Sequence, residues 1–218
     1  MHSTDVLHGQ LVAALRPMVG VEIVAGPRAM QRGYADAIEG HIGDAARTAL
    51  SALPGVAADP ARSRRSLEDF SASKDGAILR VDIKSRDTAG TFSMPNLVSI
   101  QRLWKILEDR REALTFVFAD YTVVDPKAGT ARIDSLCAIK AASINADAVQ
   151  IQNLGRGQLQ LRSTATSSDL AAPCSAGTLQ ARLPEMAAAF HRRQMAKAAR
   201  DLELWIARGN AAETAAHP

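Results

Sequence analysis

The chain has 218 residues, 26 Lys and Arg against 23 Asp and Glu for a formal charge of +3, and 47% hydrophobic residues. That length suits one domain burying roughly 70% of its unfolded surface, and the composition excludes a disordered or fibrous class. The mild positive charge permits an anionic partner without requiring one. The two cysteines, Cys137 and Cys174, lack paired spacing, so neither a disulfide framework nor a thiolate zinc site is expected, and a reducing cytoplasm fits best. No apolar run reaches the roughly 18 residues of a membrane span, and the N-terminus has no charged region leading into an apolar core.

Residues 5–18 place Val6, Leu7, Leu11, Val12, Leu15 and Met18 at a helical period that Gly20 ends, predicting an amphipathic helix. A second helix is expected from 34 to 53, with Ile38, Ile42, Ala45, Ala46, Ala49 and Leu50 inward and Pro54-Gly55 as its stop. Residues 55–66, rich in Ala, Pro, Arg and Ser, read as a surface connection. Short apolar stretches at 66–71, 77–85 and 114–124 read as strands, and 97–107 as a helix. Two further strands, 133–139 and 148–152, lead into NLGRGQLQLR, where a Gly-x-Gly pair marks a turn between strands. A closing helix or helix pair covers 178–208, and 211–218 reads as a flexible tail. The expected fold class is α/β: a single domain over 1–210 with a central mixed β-sheet flanked by helices.

Basic residues gather at Arg62, Arg64 and Arg65, at Lys105, Arg110 and Arg111, and at Arg192, Arg193, Lys197 and Arg200. Each group reads equally as a solvated face or as a phosphate contact.

In the stretch AILRVDIKS at 77–85, strand alternation sends Val81 and Ile83 to the core and projects Asp82 and Lys84 together from the other face. Asp69 stands thirteen residues before Asp82, with Asp75-Gly76 between them as a turn, so a hairpin would set the two carboxylates side by side. Close carboxylates repel unless a cation lies between them or one is protonated, and an oxygen-only pair suits Mg²⁺. A bare D-x-K more often marks an edge-strand ion pair. Here the apolar strand that carries it, the acidic residue at hairpin distance and an acidic residue on an earlier helix favour catalysis.

The set Asp69, Asp82-Ile83-Lys84 resembles the signature of the PD-(D/E)xK nucleases. The gap-free run DIKSRDTAGTFSMPNLVSIQRL resembles the DVKTR…PNxxS stretch of the blunt-cutting type II restriction endonucleases of the HincII and EcoRV kind, through D-x-K, Arg86, Pro95-Asn96 and Ser99. The likeness covers about 35 residues, from Asp69 to Leu103. Glu68 stands where the family's name would put Pro, and so competes with Asp69 for the ligand role.

The resemblance implies a restriction-endonuclease-like core and a cytoplasmic homodimer that cuts both strands of a short palindrome in double-stranded DNA, with Mg²⁺ on Asp69 and Asp82 and no organic cofactor. It also implies an acidic residue from a preceding helix near the metals. Glu39 is the candidate, with a solvated helix carboxylate as the rival reading. Base reading falls first to Asn96 and then to Asn153, Arg156, Gln158 and Gln160, whose amide and guanidinium groups sit beside glycines that let backbone approach DNA; an ordinary surface hairpin is the alternative. Phe92 and Ser93, with Thr91, are candidates for minor-groove contact, and Phe92 is equally a core candidate. A repair or junction-resolving nuclease, and a DNA-binding protein without catalysis, remain open beside the restriction enzyme. Phosphate-loop, nucleophile-elbow and H-E-x-x-H motifs are all missing, and the five histidines form no ligand spacing.

Overall fold

The computed structural model describes residues 3–27, 31–61, 63, 66–89, 96–152, 157–162, 167–172 and 177–216. Its centre is a six-stranded mixed sheet flanked by helices, the α/β class expected from the sequence. The strands are β1 (Glu22–Val24), β2 (Ala57–Pro60), β3 (Phe70–Lys74), β4 (Ala77–Asp87), β6 (Glu112–Asp125) and β7 (Thr130–Lys140), in the order β1-β7-β6-β4-β3-β2. Among the described residues, only β4 and β6 of this sheet run parallel. A parallel pair needs a crossover, supplied here by β5 (Asn96–Ser99) and α3 (Ile100–Glu108).

The helices α1 (Ser3–Leu15) and α2 (Gln31–Ser51) cover one face. Leu7, Leu11, Ile38, Ile42 and Leu50 meet Leu79, Val81 and Ile83 there in the first apolar cluster. On the other face, Leu114, Phe116 and Phe118 meet α3, α5 (Leu179–Ala216) and a second sheet, of order β5-β9-β8, formed with β8 (Val149–Gln152) and β9 (Gln158–Leu161). A short α4 (Ser167–Ala171) adds Leu170 to this second cluster. β4 therefore lies between two cores, and what its alternate residues face is decided by the pleat. Among the described residues, no helix is long and apolar enough to cross a membrane.

Several boundaries differ from expectation for identifiable reasons. The helix expected over 97–107 begins as strand, because Asn96–Ser99 pairs with β9 before Ser99 caps α3; the pairing is tertiary and leaves no helical-period signal. The connection expected at 55–66 contains β2, an edge strand ending in Pro60, where a missing N–H costs no ladder bond. The strand expected at 66–71 begins only at Phe70. β1 is a three-residue edge strand, too short for periodicity to reveal. Helix α5 runs on to Ala216, through residues read as a tail.

Gly157 is buried, not available to approach DNA as the sequence suggested, and its φ of +94° is costly for any residue with a Cβ. A Cβ there would lie 3.0 Å from Phe190 and 3.1 Å from Ile100. Gly157→Ala is therefore expected to destabilise the protein by about 1–3 kcal/mol, read as a fall in Tm of several degrees. An unchanged Tm would show that β9 can shift without cost.

Candidate active site

The hairpin that builds the site turns on Asp75 and Gly76, at φ 50° and 76°, a two-residue turn whose twist matches that of the strands. Its register pairs Phe70 with Val81, so the next position sets Asp69 opposite Asp82. Two further contacts hold Asp69 there. Its amide donates to the Val81 carbonyl at 2.8 Å, and its Oδ2 accepts from the Ile83 amide at 2.6 Å. Val81 and Ile83 are fully buried under α1 and α2, which aims Asp82 and Lys84 at the opposite face. There Lys84 Nζ donates to Asp82 Oδ1 at 2.6 Å.

Asp82 is only 4% exposed, and its Oδ2 is buried without a hydrogen-bond partner. Burial is the main cause that pushes its carboxyl up to about 7; Lys84 opposes the shift, while Asp69 and Glu39 add to it. Lys84 is raised as well: burial acts against its charge, but Asp82, Asp69 and Glu39 outweigh that cost. The local balance is therefore one ammonium among three carboxylates, a site short of positive charge.

Glu39 comes from α2 on the far side of β4. Its Oε1 accepts from the Ser85 amide at 2.9 Å and the Ser85 hydroxyl at 2.8 Å. It is half-buried and tied to β4 beside Lys84, not a freely solvated helix carboxylate. Burial raises its pKa chiefly, against the two Ser85 hydrogen bonds and Lys84, with Asp69 adding to the rise. Asp69 lines both the groove that contains Glu39 and the cleft that contains Asp82 and Lys84. Glu68 lines that same cleft but is engaged by Arg80, which donates to it at 3.0 Å and grips Glu112 with two bonds of 2.8 and 2.9 Å.

The cleft, about 630 Å³, is walled by Asp69, Asp82 and Lys84 on one side and by Ser99, Arg102 and Gln158 on the other. No family model matches this chain. No curated protein matches it either. Among solved structures it is similar to the NlaIV restriction endonuclease, at 11% identity and a TM-score of 0.49, over 80% of this chain and 71% of that chain.

The remaining residues singled out from sequence fall in three places. Asn96, Ser99, Gln158 and Gln160 come together on the small sheet, Asn96 opposite Gln160 and Ser99 opposite Gln158. Ser99 also caps α3, accepting from the Arg102 amide at 3.4 Å. Arg86 lies two positions beyond Lys84 and is ion-paired at 2.7 Å with its cross-strand neighbour Asp120, which accepts from Ser135 as well. Phe92, Ser93, Asn153 and Arg156, with Thr91, Pro95, Arg62, Arg64 and Arg65, lie outside the described residues.

Sequence reading passed over Gln150 and Gln152. The strand β8 pairs Gln150 with Gln160 and Gln152 with Gln158, so two polar rows cross the small sheet: Asn96–Gln160–Gln150 and Ser99–Gln158–Gln152. Leu159 and Leu161 alternate with them into the second core. The period-two pattern VQIQ…QLQL was the available signal. That the two strands align in register depends on the tertiary pairing.

Proposed function

We propose that the chain is a magnesium-dependent endonuclease of the type II restriction kind, hydrolysing phosphodiester bonds in a short palindromic site of double-stranded DNA as a homodimer. The observation that carries this reading is the buried Asp82–Lys84 pair, with Asp69 clamped opposite by the Ile83 amide. A structural ion pair would leave no polar atom unanswered, whereas Asp82 Oδ2 has no partner.

The residues fit a Mg²⁺ ion. Asp82 Oδ2 is an orphaned oxygen in a site short of positive charge, and Asp69 stands opposite it. Among the described residues, no three His, Cys, Asp or Glu side chains are gathered as a complete metal cage. Mg²⁺ seldom needs one, since it completes its shell with water and phosphate oxygens. Asp69 and Asp82 would hold the ion, and Glu39 would hold water or a second ion beside it. Bound there, the metal supplies Lewis-acid stabilisation of charge on the scissile phosphate and lowers the pKa of a water.

Within the chain, Lys84 carries the chemistry that no carboxylate can. Its ammonium is fixed on Asp82, so it meets the attacking water or the phosphate oxygens without a cost in reorganisation. Burial excludes bulk water, so that charge is less screened where it meets the phosphate. The polar rows of the small sheet share the cleft through Ser99 and Gln158, and their amides suit base edges, above all adenine, to which Asn or Gln can donate and accept in one plane. An ordinary solvated sheet face would carry charges, and these six positions carry none.

The deciding experiment is incubation of supercoiled plasmid with the purified protein, with and without Mg²⁺. Discrete linear fragments that need Mg²⁺, with sequenced ends that share a palindrome, are expected. A smear, or preference for branched or mismatched DNA, would favour repair or junction resolution. Salt-sensitive binding indifferent to Mg²⁺, with no cleavage, would overturn the enzyme reading. Gln158→Ala and Gln160→Ala are each expected to lose roughly 1–3 kcal/mol of discrimination at one base pair, seen as relaxed cleavage of near-cognate sites with Mg²⁺ dependence unchanged. If specificity is untouched, the small sheet does not read the bases.

A further inference from the structure

A second pocket, separate from the cleft, opens between α5 and β8, the strand that ends the order β5-β9-β8. It measures about 370 Å³. Three arginines line it, Arg162 from just beyond β9 and Arg182 and Arg193 from α5, against the single carboxylate of Glu185. Beneath them Val149, Ile151, Met186 and Ala189 form an apolar floor.

The arginines are gathered by the fold. Arg182, Met186, Ala189 and Arg193 follow the spacing of one helix face, so both arginines of α5 turn toward β8 together. Arg182 is ion-paired with Glu185 at 2.9 Å. Arg162 Nε donates to the Val149 carbonyl at 3.2 Å, which fixes the plane of its guanidinium and keeps the terminal nitrogens as donors. Three like charges on one concave surface repel, and a single acid does not balance them; an entering anion does. Guanidinium at all three positions suits phosphate oxygens, which accept its paired N–H groups. Gln150 joins this pocket to the polar rows, since it lines the pocket and ends the row Asn96–Gln160–Gln150.

We propose that the pocket binds a backbone phosphate of duplex DNA on the flank of the recognised site, with Arg162 and Arg193 as donors and the sugar on the apolar floor. The identity of this ligand rests on the nuclease reading. Ser99 on β5 lines the cleft, and Gln150 on β8 lines the pocket. At about 4.8 Å per strand the two lie about 10 Å apart, which is about three nucleotide steps at 3.4 Å each along one DNA strand. The duplex then crosses the small sheet from β5 to β8, held at Lys84 and again at the pocket. Such a backbone contact fixes the register in which the amide rows between them meet the bases.

The test is binding of a fluorescent mixed-sequence duplex of about 30 base pairs, without divalent metal, over a series of KCl concentrations, because backbone contacts act on any sequence. Arg162→Gln with Arg193→Gln should weaken binding roughly tenfold at about 0.1 M salt and lower the slope of log affinity against log salt by about 0.9, the value of one phosphate. Arg193→Gln alone changes an exposed side chain and should show part of that loss with Tm unchanged. Arg192→Gln with Arg200→Gln removes the same charge from α5 outside the pocket and should change both readings far less. Equal losses in the two double variants would overturn the pocket in favour of a general charge effect. Duplex binding indifferent to Arg162 and Arg193, or no duplex binding by the wild type, would overturn it too. Plasmid cleavage is scored separately: binding that needs both arginines without cutting sinks the nuclease reading and keeps the pocket, whereas Mg²⁺-dependent cutting with binding indifferent to them sinks the pocket alone.

Discussion

Asp82→Asn is expected to lower Mg²⁺-dependent cleavage by roughly 10³-fold or more while making the metal-free protein more stable. Both effects share one cause. The fold holds the Asp82 carboxyl at 4% exposure with one oxygen unanswered, and burial above all pushes its pKa from 3.8 to about 7. A carboxyl raised in the folded state binds its proton more tightly there than in the unfolded chain. Its stabilising contribution is therefore full below about pH 4 and is lost as pH rises toward 7. In EDTA, wild-type Tm should fall across that window through this group, and the Asn variant should lack that part of the fall. A shift of this size corresponds to about 4 kcal/mol at most, and the Asn variant also forgoes the charge of the Lys84 contact, though its amide oxygen can still accept that hydrogen bond, so about 1–3 kcal/mol, or several degrees at pH 7, is expected. Mg²⁺ should raise the Tm of the wild type and leave that of Asp82→Asn unmoved. If the Asn variant is less stable than wild type at pH 7 in EDTA, Asp82 is a structural partner of Lys84. If it cuts at the wild-type rate, the assignment of the site fails.

Lys84→Ala should separate catalysis from metal binding. Removing the ammonium takes away a positioned donor and charge, worth roughly 10²–10⁴ in rate. It leaves both carboxylates proposed to hold the ion, so Mg²⁺ should still raise Tm. The variant also loses the charge that opposes the upward shift of Asp82, so the fall of metal-free stability should extend above pH 7, opposite in direction to Asp82→Asn. Lys84→Arg should recover little activity, because the guanidinium is a wider, planar donor and the space was shaped by a point charge. Cleavage that persists in Lys84→Ala within a factor of a few would remove Lys84 from the chemistry and leave it as a counterion only.

The residues of the site differ in how far local rules reach. Asp82 and Lys84 share a face because strand alternation is a property of three consecutive residues, and Val81 and Ile83 announce which face is core. Asp69 required one step more, a two-residue turn at Asp75-Gly76, and that turn has a strong local signature. Glu39 is different. It stands 46 residues from Ser85, and whether a helical carboxylate meets solvent or a strand amide depends on how α2 packs over β4. The same holds for Glu68, whose commitment to Arg80 and Glu112 joins three separate segments.

The expected elements follow a similar line. Long amphipathic stretches such as α2 and central strands such as β4 and β6 were readable, because burial of one face repeats along the chain. β1, β2 and β5 are short edge or second-sheet strands, whose hydrogen bonds come from partners distant in sequence, and nothing in three or four residues predicts such a partner.

By itself, the sequence determined the α/β class, the hairpin that sets Asp69 opposite Asp82, and the projection of Lys84 beside it, since each depends on backbone periodicity and turn chemistry within some twenty residues. Only the tertiary structure decided that this pair faces a cleft shared with the second sheet, that Glu39 joins it from the opposite face, and that Gln150 and Gln152 align with Gln160 and Gln158. Those outcomes rest on pairings between distant segments, and a local pattern carries no record of which distant segment it will meet.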